Sequence, residues 1–138
     1  MECSTLIKNI RKRLGSGREK KNNEFVWKEK NAELIDLINQ GKVEEALDVG
    51  QAVVDYVDRT YRRDSREKAT SYNNMGMAFL LNKDYELAEQ CFREALDMRK
   101  RIFGDDHNEV AIVLLNLVQL YKAQAQEIFL ANRLETEA

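Results

Sequence analysis

Proline is absent from this 138-residue chain, histidine occurs once and cysteine twice, and glycine only six times. Each shortage excludes something. Sheet-rich domains and long ordered loops use proline at turns and edges, so its absence argues for a mainly helical chain. Cys3 and Cys91 stand far apart without metal-ligand spacing, and His107 has no partner pattern, which argues against a disulfide framework or a zinc site. Cys91 lies among apolar helix positions and reads as a small buried thiol rather than a reactive one. No run of about 18 apolar residues exists, and the start MECSTLIKNIRKRL lacks the apolar centre of a secretory signal. The expectation is a cytoplasmic protein without a transmembrane segment.

Chemistry-bearing patterns are missing as well. There is no glycine-rich phosphate loop and no Ser/His/Asp or Cys/His grouping, and the carboxylates fall on solvated helix faces or at helix starts. No catalytic residue, metal ligand or cofactor is therefore expected, and the chain does not read as an enzyme. The stretch GDDH, Gly104 to His107, is explained by a helix-starting loop more simply than by a metal site.

What is present is charge and helical periodicity. The net charge of −2 conceals an asymmetry: residues 1–30 hold nine Lys/Arg against four Asp/Glu, leaving thirteen against twenty for the rest. A basic arm thus precedes an acidic body. Shifted by 42 positions, the chain falls on itself without a gap: Ala46 on Ala88, Leu37 on Phe79 and then Tyr121, Val43 on Tyr85, Val53 on Ala95, Tyr61 on Phe103, Asp64 on Asp106. A sustained register of this kind marks a repeat array.

Inside one unit, Tyr72, Met75, Gly76 and Phe79 share a helical stripe, and Leu87, Ala88, Cys91, Phe92 and Ala95 share a second. Between them lies the polar turn NKD, with Asp84 available as a cap, so the unit predicts an antiparallel helical hairpin. DSRE, Asp64 to Glu67, and DHNE, Asp106 to Glu109, resemble capping boxes and predict the start of each new first helix. Gly76 sits inside a predicted helix, where glycine costs about 1 kcal/mol against alanine, so close packing is the expected compensation. Gly76, Ala88 and Ala95 would let hairpins approach one another and stack, since no hairpin buries its apolar face alone.

The residues Tyr72, Met75, Gly76, Phe79, Ala88, Phe92 and Ala95 resemble the tetratricopeptide repeat pattern, with Tyr72 and Met75 where Trp and Leu are more usual. The period of 42, FGDDHNEVA (Phe103 to Ala111) and LLNLVQLY (Leu114 to Tyr121) are similar to the longer repeats of kinesin light chains and their bacterial relatives. Asn108 departs from that pattern, which has proline there. The first unit also departs, with Leu34 and Gly50 where the second has Gly76 and Phe92. The resemblance implies an all-α fold of antiparallel helical hairpins stacked as a short right-handed solenoid. Residues 1–23 would form a basic amphipathic arm with a Gly/Ser linker, and 24–138 the repeat domain, in units of about 27–68, 69–110 and 111–138.

A helix has a second face. By 100° per residue, Thr70, Asn73, Asn74, Met77 and Leu81 project roughly 100–200° from Tyr72. Asn31, Ala32, Ile35 and Asn39 occupy that face in the first unit, and Ile112, Leu115, Asn116 and Gln119 in the third. This face lines the concave surface in arrays of this type. Its amides could bond a peptide backbone while its aliphatics take side chains, so the expected partner is a protein or peptide. In the family, asparagines at the places of Asn74 and Asn116 often hold peptide. The alternative is that the asparagines tie adjacent hairpins together and the aliphatics pack against a further helix. A clamp for a C-terminal carboxylate is disfavoured, because the face carries Thr70, Ile112 and Asn116 where that clamp has Lys and Arg, and Lys28 alone is insufficient.

At the ends, Leu6, Ile7, Ile10 and Leu14 oppose Lys8, Arg11, Lys12 and Arg13, and Gly15 to Gly17 is read as a helix breaker. A short basic helix on an acidic body is weak support for membrane-surface binding, and no nucleic acid is expected. After Tyr121 no polar turn follows, and Ala125 stands where Gly41 and Lys83 stand earlier. The last unit is expected to run on as one long helix with Ile128, Phe129, Leu130 and Leu134 uncovered, which raises self-assembly or completion of a larger solenoid as the alternative function.

Overall fold

The computed structural model describes residues 3–137, with side chains placed for residues 19–137. Five helices make up the described chain: α1 (Cys3–Asn39), α2 (Val43–Thr60), α3 (Arg66–Leu81), α4 (Tyr85–Phe103) and α5 (Asn108–Glu137). No strand occurs among the described residues. α1 passes through Gly15–Gly17 without interruption, contrary to the expected break. Two helix-interior glycines cost about 1 kcal/mol each, and the surrounding Lys, Arg, Leu and Glu favour helix. The apolar side expected of the arm, Leu6 to Leu14, lies outside the described side chains.

Helix boundaries follow local chemistry. Gly41 and Lys83, one period apart, both adopt left-handed backbone, with φ of 68° and 63°, and each reverses the chain between the helices of a hairpin. α3 is capped by Ser65, whose hydroxyl accepts from the Lys68 N–H at 3.1 Å. Asp64, expected in that role, lies one residue too early and receives Nε and Nη2 of Arg101 instead. At α5 the cap is His107, whose Nδ1 accepts from the Glu109 N–H at 3.0 Å, rather than Asp106. Asp84 does occupy the position before α4, but its carboxylate takes the Asn82 amide and caps nothing.

The core forms where the stripes meet. Leu34, Ile38, Ala46, Val53 and Ala78 make one cluster, and Ala88, Phe92, Ala95, Val113, Leu117 and Leu120 another. Half-buried Met77 packs against both and joins them. A Cβ on Gly76 would stand 2.7 Å from the fully buried Phe92 ring, so the glycine is required by close approach. One period earlier the sizes are exchanged: Gly50 on α2 faces Leu34 on α1, 3.4 Å from an added Cβ, and the closest approach, 2.5 Å, is to Met75 on α3. The departure of the first unit is a size swap across one contact.

Candidate functional site: the inner face of the array

Curvature decides which face is available. α1 touches α3 and α3 touches α5, whereas α2 and α4 make no contact with each other. The first helices therefore lie on the inner side of the array, and the second helices splay on the outer side. Along that inner side, Asn74 Nδ2 donates to Asn31 Oδ1 at 2.7 Å, and Asn116 Nδ2 donates to Asn73 Oδ1 at 2.8 Å. Asn31 and Asn73 are one period apart, as are Asn74 and Asn116, so a single bond is repeated from hairpin to hairpin. It forms an amide ladder from α1 through α3 to α5.

This ladder changes what the asparagines do. Asn31, Asn73 and Asn74 are buried rather than projecting freely, because neighbouring first helices approach closely enough for their amides to pair. A side-chain amide has more bonding capacity than one such bond uses. No buried side-chain nitrogen or oxygen among the described residues lacks a partner, so the unused amide ends are not sealed off. Around them Ile35, Leu81, Ile112 and Leu115 are exposed, as is Gln119, while Thr70 and Met77 are half-buried. The result is an apolar inner face with polar groups at its floor.

Three participants were not anticipated from spacing. Arg99 is buried on α4, donating through Nη1 to the Glu109 carbonyl at 2.8 Å and through Nη2 to Thr70 Oγ1 at 3.4 Å, with the Glu109 carboxylate 3.3 Å away. Burial lowers its affinity for the proton, Glu109 opposes that shift and Arg66 adds to it. Arg99 thereby engages the hydroxyl of Thr70, one of the expected groove residues. Trp27 on α1 donates to Ser71 Oγ at 2.8 Å, and Ser71 in turn donates to the Glu67 carbonyl at 2.7 Å. The only sequence signal for these was their polar character on otherwise apolar stripes.

The remaining candidates are structural. Lys28 is exposed and paired with Glu24 at 2.9 Å. The His107 ring stacks on Phe103 with centroids 4.5 Å apart, and no cluster of three His, Cys, Asp or Glu side chains suited to a metal exists among the described residues. Cys91 is half-buried, and burial, followed by the negative Glu94, pushes its thiol up to about 11. Little thiolate forms at neutral pH. No described helix is long and apolar enough to cross a membrane.

Comparisons with known proteins agree with this architecture. BtubC (BKLC) from P. vanneervenii, a kinesin light chain-like protein, superimposes with a TM-score of 0.68 at 20% identity, over 87% of this chain and 54% of its own. This chain thus spans about half the length of that relative, and at such identity the likeness is one of fold. No curated protein matches the chain. The family model described as Tetratricopeptide repeat matches residues 35–101 and 68–127. Those matches cover well over half of the sequence and coincide with the hairpins and the 42-residue register, and the chain belongs to the tetratricopeptide repeat family.

Proposed function

We propose that this chain is a non-enzymatic interaction module that takes a peptide or a segment of a partner protein along its inner face. Tetratricopeptide repeats generally mediate protein–protein interaction. The observation that carries the finer reading is that each first helix exposes an aliphatic side chain, Ile35, Leu81 or Ile112, around an amide ladder with spare bonding capacity. Separated aliphatic side chains around a polar floor suit an extended or helical peptide, whose apolar side chains meet the aliphatics while its backbone meets the amides. BtubC has the same fold at low identity and supports the architecture behind this reading, not a particular ligand.

Peptides selected by display against the chain provide the probe. Replacing Leu81 and Ile112 by serine is expected to weaken the selected peptides by about 10-fold or more, since each lost apolar contact is worth about 1–2 kcal/mol. Both residues are exposed, so the melting temperature should be unchanged. Selected peptides that bind the double variant as tightly as the parent would remove the inner face as the site.

A further inference from the structure

We infer that α5 pairs antiparallel with α5 of a second copy of this chain, so that the long final helix is a dimerisation element. In the second hairpin, Tyr72, Gly76 and Phe79 on α3 lie beneath α4; one period later their counterparts Leu114 and Val118 are exposed, and Tyr121 leaves its ring 41% exposed while its hydroxyl reaches back to α4, donating to Glu89 and accepting from Arg93. α5 continues straight through Ala125, where the earlier units reverse at Gly41 and Lys83, and every residue from 125 to 137 is exposed. A helical extension of this length, held to the rest by little more than the exposed contacts of Glu127 with Lys83 and Tyr85, is marginal alone.

The exposed face is not scattered. Leu114, Val118, Tyr121, Ala125, Ile128 and Asn132 recur at steps of four and three, which is the spacing of a two-stranded coiled-coil seam. In an antiparallel pair, seam positions of one kind oppose those of the other. Here a two-fold axis near residue 123 places Val118 against Ile128, Leu114 against Asn132, and bulky Tyr121 against small Ala125 in the second copy. Leu115 and Phe129, 62% and 65% exposed, flank the seam and meet each other across it. Lys122 on one edge and Gln124 on the other approach their own counterparts, and the lysine stem leaves its ammonium in solvent.

Area favours a stable pair. Leu114, Leu115, Val118, Tyr121, Ile128 and Phe129 are 41–65% exposed. Side chains of this size offer on the order of 100 Å² apiece at such exposure, so two copies would bury about 1,200 Å², at the lower end of the range of specific dimers. The chemistry of Leu115 also selects a second copy over a further hairpin. It stands where Asn31 and Asn73 accept the next hairpin's amide, and it offers no acceptor to one. Leu115 is shared with the inner face and Ile112 lies beside it on α5, whereas Ile35 and Leu81 lie on other helices, so Leu81 reads peptide capture and Ile128 reads dimerisation.

Sedimentation of the full chain into the hundred-micromolar range tests this. The parent chain should be a dimer. Ile128→Asp, which alters a side chain outside the packed core, should raise the dissociation constant at least about 100-fold by placing an unpaired charge in the seam. Leu134→Asp, on the opposite side of α5, should remain dimeric. In a chain whose native cysteines are replaced by alanine, Val118→Cys with Ile128→Cys should oxidise to a covalent dimer. Within one helix these positions are about 15 Å apart, too far for a bridge. A monomeric parent chain, a dimeric Ile128→Asp variant, or covalent dimers formed by Val118→Cys alone, as a parallel pair would give, would each overturn the proposal.

Discussion

At the residue scale the most informative contact is the one between Gly76 and Phe92, because its counterpart at Leu34 and Gly50 has the sizes reversed. What the fold requires at this place is one large and one small residue, on either helix. Gly76→Leu should cost about 1–3 kcal/mol by overpacking, and Phe92→Gly about 3–5 kcal/mol by opening a cavity. Combined, they recreate the arrangement of the first hairpin. The double variant should therefore be more stable than the sum of the single losses by about 1–3 kcal/mol, as read by urea denaturation of all four chains. Full recovery is not expected, because Phe92 also belongs to the cluster containing Val113 and Leu117. Strict additivity would show that the two sites are not coupled in this way.

The elements differ in how they end, and the turn position decides it. Gly41 takes left-handed backbone without steric penalty, Lys83 takes it with one, and Ala125 does not take it at all, so α5 runs on. Relief of the strain at Lys83 is worth about 1–2 kcal/mol, offset in part by the entropy that glycine gives the unfolded chain. Lys83→Gly should stabilise the chain by about 0.5–1 kcal/mol, visible as a higher denaturant midpoint with unchanged slope. Its ion pair with Glu127 is exposed and contributes little to this balance. A lower midpoint would mean that the pair or the lysine stem matters more than the backbone strain.

Across the whole molecule, stability is shared between hairpins and the contacts between them. The amide ladder forms part of those contacts, and its two bonds are not equivalent in position. Asn116 joins only α5 to α3, whereas Asn74 joins the first hairpin to the rest. Asn116→Ala should cost about 1 kcal/mol and raise amide exchange chiefly in α5, while Asn74→Ala should raise it in α1 and α2 as well. Equal exchange profiles for the two variants would show that the array opens as one unit.

Residue spacing alone determined the helical hairpins, the 42-residue register, the close approach at Gly76 and the uninterrupted last helix. Each rests on local periodicity or on a single backbone preference, which a chain expresses without knowing its neighbours. The capping residues were displaced by one position, because Asp and Ser side by side before α3 are equally suited to a cap and only the location of Arg101 draws Asp64 away. The asparagines are the deeper case. Angular position put Asn31, Asn73, Asn74 and Asn116 on the inner face, but whether an amide there is free depends on how near the next first helix comes. That distance is fixed by packing between residues more than forty positions apart, through Met77 and the two core clusters, so only the tertiary structure could turn a row of expected ligand contacts into a ladder that also holds the array together.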